Sequence, residues 1–271
     1  MAVATLETAF WDLQAKAANL PLWVLIGGER TQHPVGISIG IQKSIEATIE
    51  QAAKYIDEGY KRLKFKIKPG WDLKLMRALR TKFPEMPLTV DANSAYKLTD
   101  ARVFEGLDEL ALDYIEQPLA YDDLIDHRKL QAMINTPICL DESIHSAEDA
   151  RKGLEMDSGR VINIKLARVR GLLMARQTHD VAYSFGAPVW CGGMLELGIG
   201  RATNLHLSSL KGFSLPGDTS SASRYWEEDI VTNKLEAING MQSIPQGAGL
   251  GVELNHDLIE KLTVRKEVFT P

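Results

Sequence analysis

Lys66, Asp91, Glu116, Asp141 and Lys165 stand at intervals of 25, 25, 25 and 24 residues. Each lies at or near the end of a short apolar run: LKFK, PLTVD, LDYIE, PICLD and VINIK. Even spacing of this kind is the signature of a parallel β/α barrel, because each strand and its return helix consume a similar length of chain. In such barrels the functional groups collect where the strands end. The spacing therefore predicts three carboxylates in one cavity with an ammonium group on either side.

The rest of the chain fits that frame. Residues 34–40 (PVGISIG) read as a first strand, and 44–60 as a helix with Ser44 as its N-cap and Gly59 near its end. The alternation continues through RLKFKI, a helix over 71–83, PLTVD, a helix over 98–108, LDYIEQ, a helix over 121–133 and PICLD. A helix over 146–155, VINIK, a helix over 171–185, PVWCG, a helix over 196–209 and FSLPG complete eight strands. Connecting helices impose parallel strands, right-handed crossovers curl them one way, and eight close into a barrel. An open doubly wound sheet is the alternative; the even spacing and the lack of a GxGxxG turn argue against it. Residues 4–18 predict an amphipathic helix that buries Leu6, Ala9, Phe10, Leu13 and Ala17. Residues 222–271 break the rhythm with short strand-like pieces, Gly/Pro turns and a helix-like HDLIEKLTV, an appendage leaving the barrel.

Bulk properties exclude several classes. At 271 residues with net charge −5, and with Lys and Arg scattered, the chain offers no nucleic-acid surface. It has no apolar run of membrane-spanning length and no signal-peptide pattern at its start, which predicts a cytoplasmic protein. Cys139 and Cys191 are expected as buried free thiols. The six histidines show no ligand spacing and read as surface or helix residues.

Side chains two apart on a strand share a face, so Lys64 and Lys66 point into the barrel together. Two adjacent cations, one of them near a divalent metal, lower an ammonium pKa and make a neutral amine available as a base; a solvated lysine-rich edge, with Lys61, Arg62 and Lys68, is the plainer reading of the tripeptide alone, and the downstream carboxylates reverse it. Asp91, Glu116 and Asp141 come from three consecutive strands about 4.8 Å apart. Three carboxylates at equal height suit a hard divalent cation with positions left for substrate oxygens. Asn93 shares the face of Asp91 and can support it, and Glu142 points away from Asp141 as a supporting group. Lys66 precedes the acidic strands and Lys165 follows them, so a carboxylate substrate would present its α-carbon between two lysines. Arg168, in the next loop, would lower the Lys165 pKa if it came near. Ser38 and the backbone of Gly193-Met194 are candidate substrate contacts, and Asp218 reads equally well as a helix cap.

The runs KFKIKPGWD, VDAN, YIEQPL, CLDES, NIKLARVRG, VWCGGMLELGIGRA and LPGDTSSASRY together resemble the enolase superfamily, muconate-lactonising subgroup. Within it they are most similar to the o-succinylbenzoate synthase / N-acylamino acid (N-succinylamino acid) racemase family. The resemblance implies an α/β fold, a (β/α)8-type (modified (β/α)7β) TIM barrel with remnants of an α+β capping domain at both termini. It implies residues 1–33 as the last helix and linker of a truncated capping domain, 34–221 as the barrel and 222–271 as a segment packing toward the cap. By the same resemblance Lys66 and Lys165 are the opposite-face catalytic lysines and Lys64 a helper. Asp91, Glu116 and Asp141 are ligands of Mg²⁺, with Mn²⁺ as a substitute. Ser38, Asn93, Gly193 and Met194 line the substrate pocket, and Arg168 belongs with racemase competence. The NIKLAR run departs from the commoner NIKPGR. The implied activity is Mg²⁺-dependent o-succinylbenzoate synthesis for menaquinone, by dehydration through an enediolate, with N-succinylamino acid racemisation beside it. A dedicated racemase and a non-catalytic metal-binding barrel fragment are the alternatives. The expected partner is a small carboxylate substrate, and the expected assembly a homo-oligomer.

Overall fold

A computed structural model describes residues 2–268. Its centre is a parallel sheet of seven strands in sequential order, β2 to β8. The chain opens with α1 (Ala2–Ala17), the short α2 (Leu22–Leu25) and β1 (Gln32–Pro34), then enters the sheet at β2 (Ile37–Ile39). Strand and helix then alternate as α3 (Ile45–Asp57), β3 (Leu63–Lys66), α4 (Leu73–Lys82), β4 (Leu88–Asp91), α5 (Ala101–Asp108) and β5 (Ile115–Glu116). They continue as α6 (Ile125–Gln131), β6 (Ile138–Leu140), α7 (Ala147–Glu155), β7 (Val161–Ile164), α8 (Leu172–Ser184), β8 (Val189–Cys191) and α9 (Gly198–Ser208). Sequential parallel order removes the doubly wound alternative, which requires a reversal of strand order.

FSLPG, expected as an eighth strand, is not a regular one. It nevertheless closes the barrel through main-chain bonds. Leu215 N donates to Val189 O (3.4 Å) and Asp218 N to Cys191 O (2.9 Å) on one side; on the other, Gly36 N donates to Gly217 O (2.8 Å) and Gly217 N to Pro34 O (3.1 Å). Pro216 lacks the N–H a continuous ladder needs, so the pairing survives only as bridges.

Local chemistry sets the helix starts. The Ser44 hydroxyl accepts from Ala47 N, and the Ser146 hydroxyl from Asp149 N; each such cap is worth about 1 kcal/mol. Gly59, with φ +84°, ends the turn after α3, as its position in the sequence predicts.

The first helix is docked differently from its apolar pattern. Leu6, Phe10 and Leu13 are 77%, 59% and 61% exposed, while Ala4, Thr8 and Ala15 are buried. The helix is held by small side chains and by two carboxylates. Glu7 accepts from Leu172 N and Leu173 N at the start of α8, and Asp12 Oδ1 accepts from Leu250 N at 2.7 Å. The expected buried stripe is therefore the exposed one.

After the barrel, a 3-10 turn at Ala222–Arg224 returns to the strand ends, β9 (Met241–Ser243) pairs antiparallel with β1, and α10 (His256–Leu262) follows. The appendage thus both contacts the barrel and carries its own small sheet. No helix among the described residues is long and apolar enough to cross a membrane.

Both cysteines are buried and free. The histidines, however, are not surface residues as a group: His33, His127, His179 and His206 are buried. The His206 ring joins distant segments, with Nδ1 accepting from Trp23 N (3.1 Å) and Nε2 against Leu250 O (3.0 Å). Burial pushes its pKa down from 6.5 to about 4, against the raising effect of the Leu250 carbonyl and Asp12. The unfolded ring takes its proton near pH 6.5 and the folded one only near 4, so between these values the unfolded state binds more protons. Stability from this group is complete above pH 6.5 and falls as pH drops toward 4, by up to roughly 3 kcal/mol. His33, lowered to about 4 by burial and Arg30, adds in the same window. Urea titrations of wild type and His206→Gln across pH 4–7 should give a shallower pH slope for the variant; parallel slopes would refute the assignment.

Candidate active site

The period-2 alternation of β3 sends Leu63 and Phe65 into the helix–sheet core and Lys64 and Lys66 into the barrel. Lys66 pairs in register with Asp91, and Asp91 with Glu116. The next partner of Glu116 is Cys139, not Asp141. Asp141 therefore stands two residues higher, which corrects the expectation of three carboxylates at equal height. The stagger is what closing a sheet of tilted strands requires. Below this level the barrel is filled by Tyr114, Cys139, Val161 and Trp190.

All three carboxylates are buried, at 1%, 0% and 0% exposure for Asp91, Glu116 and Asp141. Each faces cations of the chain. Lys66 Nζ lies 2.5 Å from Asp91 Oδ2. Lys64 Nζ lies 2.9 Å from Glu116 Oε2 and 2.7 Å from Asp218 Oδ2. Lys165 Nζ lies 2.8 Å from Asp141 Oδ2, and Arg168 Nη1 pairs with the other oxygen.

Electrostatics follow from this packing. Burial and then the Asp91 carboxylate raise the Glu116 pKa to about 8, against Lys64. Burial opposes the Lys64 charge, but Asp218, Glu116 and Asp91 outweigh it and hold the amine well above its ordinary value. Lys165 is likewise raised: burial is overcome by Asp141 and Glu116, with Lys64 and Arg168 opposing. Arg168 does act on Lys165 in the expected sense, and is outweighed by the acids. The expectation of lowered amines supposes a divalent cation beside them; with the acids alone facing Lys64 and Lys165, both are raised.

Among the described residues, no three acidic, histidine or cysteine side chains converge at ion-holding distance. The donor set still fits a divalent cation. It offers carboxylate oxygens from three consecutive strand ends, and Glu116 Oε2 is buried with the Lys64 ammonium 2.9 Å away. Glu116 Oε1 is fixed by Asn163 Nδ2 at 2.9 Å, the kind of outer contact that aims a ligand. Closing on an ion requires the carboxylates to turn from lysine to metal, within reach of side-chain rotation.

Asn93 links the two halves of the cluster: its N–H donates to Asp91 Oδ1 (3.0 Å), its Oδ1 accepts from Lys66 (2.6 Å), and its Nδ2 donates to Glu142 Oε1 (2.9 Å). Glu142, expected to point away, is thereby part of the cluster. Burial and then Asp141 raise its pKa. Ser38, Gly193 and Met194 line one cavity of about 460 Å³ together with Lys64, Lys66 and Lys165.

Asp218, read from the sequence equally well as a helix cap, lines this cavity too, and five lining residues went unassigned: Leu195, Glu196, Arg201, Arg224 and Tyr225. Arg62, placed from the sequence only within the solvated-edge alternative, is fully buried beneath Lys64 and paired with Asp218 Oδ1 at 2.7 Å. The alternation Arg62, Lys64, Lys66 carried the signal, since period 2 puts all three on one face.

Comparison with known proteins now bears on the cluster. The model of the Enolase C-terminal domain-like family matches residues 47–258, and that of the mandelate racemase / muconate lactonizing enzyme N-terminal domain matches residues 1–27. The chain belongs to the enolase superfamily. It is 55% identical over 264 residues to an N-succinylamino acid racemase of Thermus thermophilus, covering 97% of this chain and 72% of that protein. It is 49% identical over 269 residues to an o-succinylbenzoate synthase of Geobacillus kaustophilus, covering 99% and 72%. A solved enolase-superfamily structure from Listeria innocua superimposes with a TM-score of 0.94 at 41% identity, over 96% of this chain and 70% of that one. The superfamily is one of divalent-metal enzymes, and its use of a lysine or histidine base beside Mg²⁺ is itself a standard illustration of pKa tuning.

Proposed function

We propose that this protein is an o-succinylbenzoate synthase of menaquinone synthesis that also racemises N-succinylamino acids, with Mg²⁺ as its metal. The observation that carries the reading is the placement of Lys66 and Lys165 on opposite sides of a buried carboxylate cluster, opening into one cavity. Relatives bearing the two activity names match nearly the whole chain. A divalent cation held by Asp91, Glu116 and Asp141 would polarise the substrate carboxylate and acidify its α-proton.

The chain's own residues supply the rest. Lys66 or Lys165, as a free amine, takes the α-proton from its own face. In racemisation the opposite ammonium returns a proton to the other face. In dehydration the opposite ammonium stabilises the anion while the hydroxyl departs. Lys64, held between Asp218 and Glu116 and 4.5 Å from the Trp190 ring centre, adds fixed positive potential. Ser38, Gly193 and Met194 position the substrate. Residues 1–33, 34–221 and 222–271 form the end of a capping domain, the barrel and a returning segment. The match of residues 1–27 to the family's N-terminal domain supports the first boundary. Cytoplasmic location and homo-oligomeric assembly complete the proposal.

Two measurements test it. Offered the cyclohexadiene carboxylate precursor and an N-succinyl amino acid with Mg²⁺, the protein should dehydrate the first and exchange the α-proton of the second; no exchange with either would sink the enzyme reading. Separately, Mg²⁺ should raise the melting temperature of the wild type, since a ligand that binds only the folded state stabilises it. Glu116→Gln should abolish that rise, and a rise retained in the variant would remove Glu116 from the ligand set.

A further inference from the structure

Arg201 is a buried cation with no ion-pair partner among the described residues. It sits in the first turns of α9 and is 2% exposed, and its Nε and Nη2 are buried without a hydrogen-bond acceptor among the described residues. Leaving a guanidinium in this condition is costly unless an anion arrives to meet it. Burial pushes its pKa below the usual arginine value, against Glu196, Tyr225, Asp229 and Glu236.

Of the nearby acids, Glu196 and Glu236 use both oxygens elsewhere, and Asp229 uses one, its Oδ2 being buried without a hydrogen bond among the described residues. Glu196 Oε1 accepts from Asn204 Nδ2 (3.0 Å) and Oε2 from Met194 N (2.9 Å). Asp229 Oδ1 accepts from Gly198 N (2.8 Å) at the start of α9. Glu236 accepts from Ser223 N (3.0 Å) and its hydroxyl (2.7 Å). The Tyr225 ring lies between two guanidinium groups, with its centre 6.0 Å from Arg201 Cζ and 5.1 Å from Arg224 Cζ. Arg224 Nη1 donates to Tyr225 Oη (2.9 Å), which leaves the phenol proton free to be donated, and Arg224 Nη2 is tied to Ser38 O. Arg201, Arg224 and Tyr225 line the same cavity as Lys66 and Lys165.

One cavity thus offers two anion-binding ends: the carboxylate–lysine cluster, where a metal-held carboxylate would react, and the Arg201–Tyr225 end, where Glu196 also lines the wall but is bonded to Asn204 and Met194 N and not to Arg201. We propose that Arg201, with the Tyr225 hydroxyl, binds the second carboxylate of a dicarboxylate substrate, the terminal carboxylate of a succinyl arm. This rests on the proposed activity, since o-succinylbenzoate and N-succinylamino acids share that arm and differ in the body to which it is attached. Recognising the common arm at a fixed arginine explains how one site serves both. A planar guanidinium matches a carboxylate with two parallel hydrogen bonds and so selects the charged arm over neutral acyl groups.

Calorimetric titration of the full chain with Mg²⁺ reads this without turnover. The ligands are an N-succinyl amino acid and its terminal carboxamide, which has the same shape without the charge. Wild type should prefer the carboxylate by about 10- to 100-fold. Arg201→Met should bring the ratio close to one, and Arg201→Lys, charged but without the fork, should fall between. Equal weakening of both ligands in Arg201→Met would mark a structural residue and overturn the proposal, as would an unchanged ratio. A wild type that shows the Arg201-dependent ratio but exchanges no α-proton refutes the activity alone. A wild type that binds neither ligand overturns both.

Discussion

Lys66→Ala and Lys165→Ala are each expected to lower α-proton exchange by about 10²- to 10⁴-fold, the usual contribution of a positioned acid or base. The two losses differ in kind. With single enantiomers of an N-succinyl amino acid in deuterated water, removal of one lysine should stop exchange from one enantiomer, and removal of the other should stop it from its mirror image. Racemisation, which needs both faces, should vanish in both variants. Dehydration needs one base, so one variant should lose product formation entirely while the other keeps a residual rate set by how much the opposite ammonium stabilises the anion. Lys66 is part-exposed at the cavity mouth, whereas Lys165 is pinned between Asp141 and the cavity wall. Lys66→Ala removes a part-exposed cation, and Lys165→Ala leaves Asp141 its second partner, Arg168, so both variants should fold. Exchange of both enantiomers persisting in Lys66→Ala would show that the base is elsewhere.

The site was legible because strand-end chemistry repeats with the βα period. That period gave the parallel order, the faces of Lys64 and Lys66, and the convergence of Asp91, Glu116, Asp141 and Lys165 from separate strands. It did not give height. Sequence spacing counts residues along the chain, whereas barrel stagger shifts one strand against the next, which is why Cys139 and not Asp141 stands opposite Glu116. Features set by tertiary contact were also hidden. The first helix presents Leu6, Phe10 and Leu13 to solvent because Glu7 and Asp12 cap other segments and so fix its rotation; an apolar stripe alone cannot report that. Arg201 opens a run, Arg201 to Ser208, in which every residue is buried, so no amphipathic pattern distinguishes it. Asp218 follows a proline-broken strand, where a capping role looks equally good until its two cationic partners are placed.

Asp218→Ala should be the most destabilising single substitution near the cavity, by about 3–5 kcal/mol. Asp218 Oδ1 accepts from Arg62 Nη2 and Oδ2 from Lys64 Nζ, both at 2.7 Å. Arg62 is 0% exposed, and among the described residues its only other acceptor is Pro216 O at 3.0 Å. Burial alone would raise the Asp218 pKa, but Lys64 and Arg62 drive it well below the usual carboxylate range, so the group is ionised at any working pH. Its removal strands Arg62 and leaves Lys64 with Glu116, 2.9 Å away; the two cations lie 5.0 and 4.5 Å from the Trp190 ring centre. The ring attracts cations but cannot replace a hydrogen-bonded carboxylate. In a chain of this length each kcal/mol moves the melting temperature by about 2–4 °C, so a fall on the order of 10 °C is expected. Arg62→Leu added to Asp218→Ala should recover part of the loss, because it removes one stranded charge and fills its place with apolar volume; the two changes should be clearly non-additive. Urea unfolding of the two single variants and the double variant measures this. A loss within about 0.5 kcal/mol for Asp218→Ala, the range of an ordinary surface change, would mean that water reaches Arg62 and that the floor of the site is not sealed.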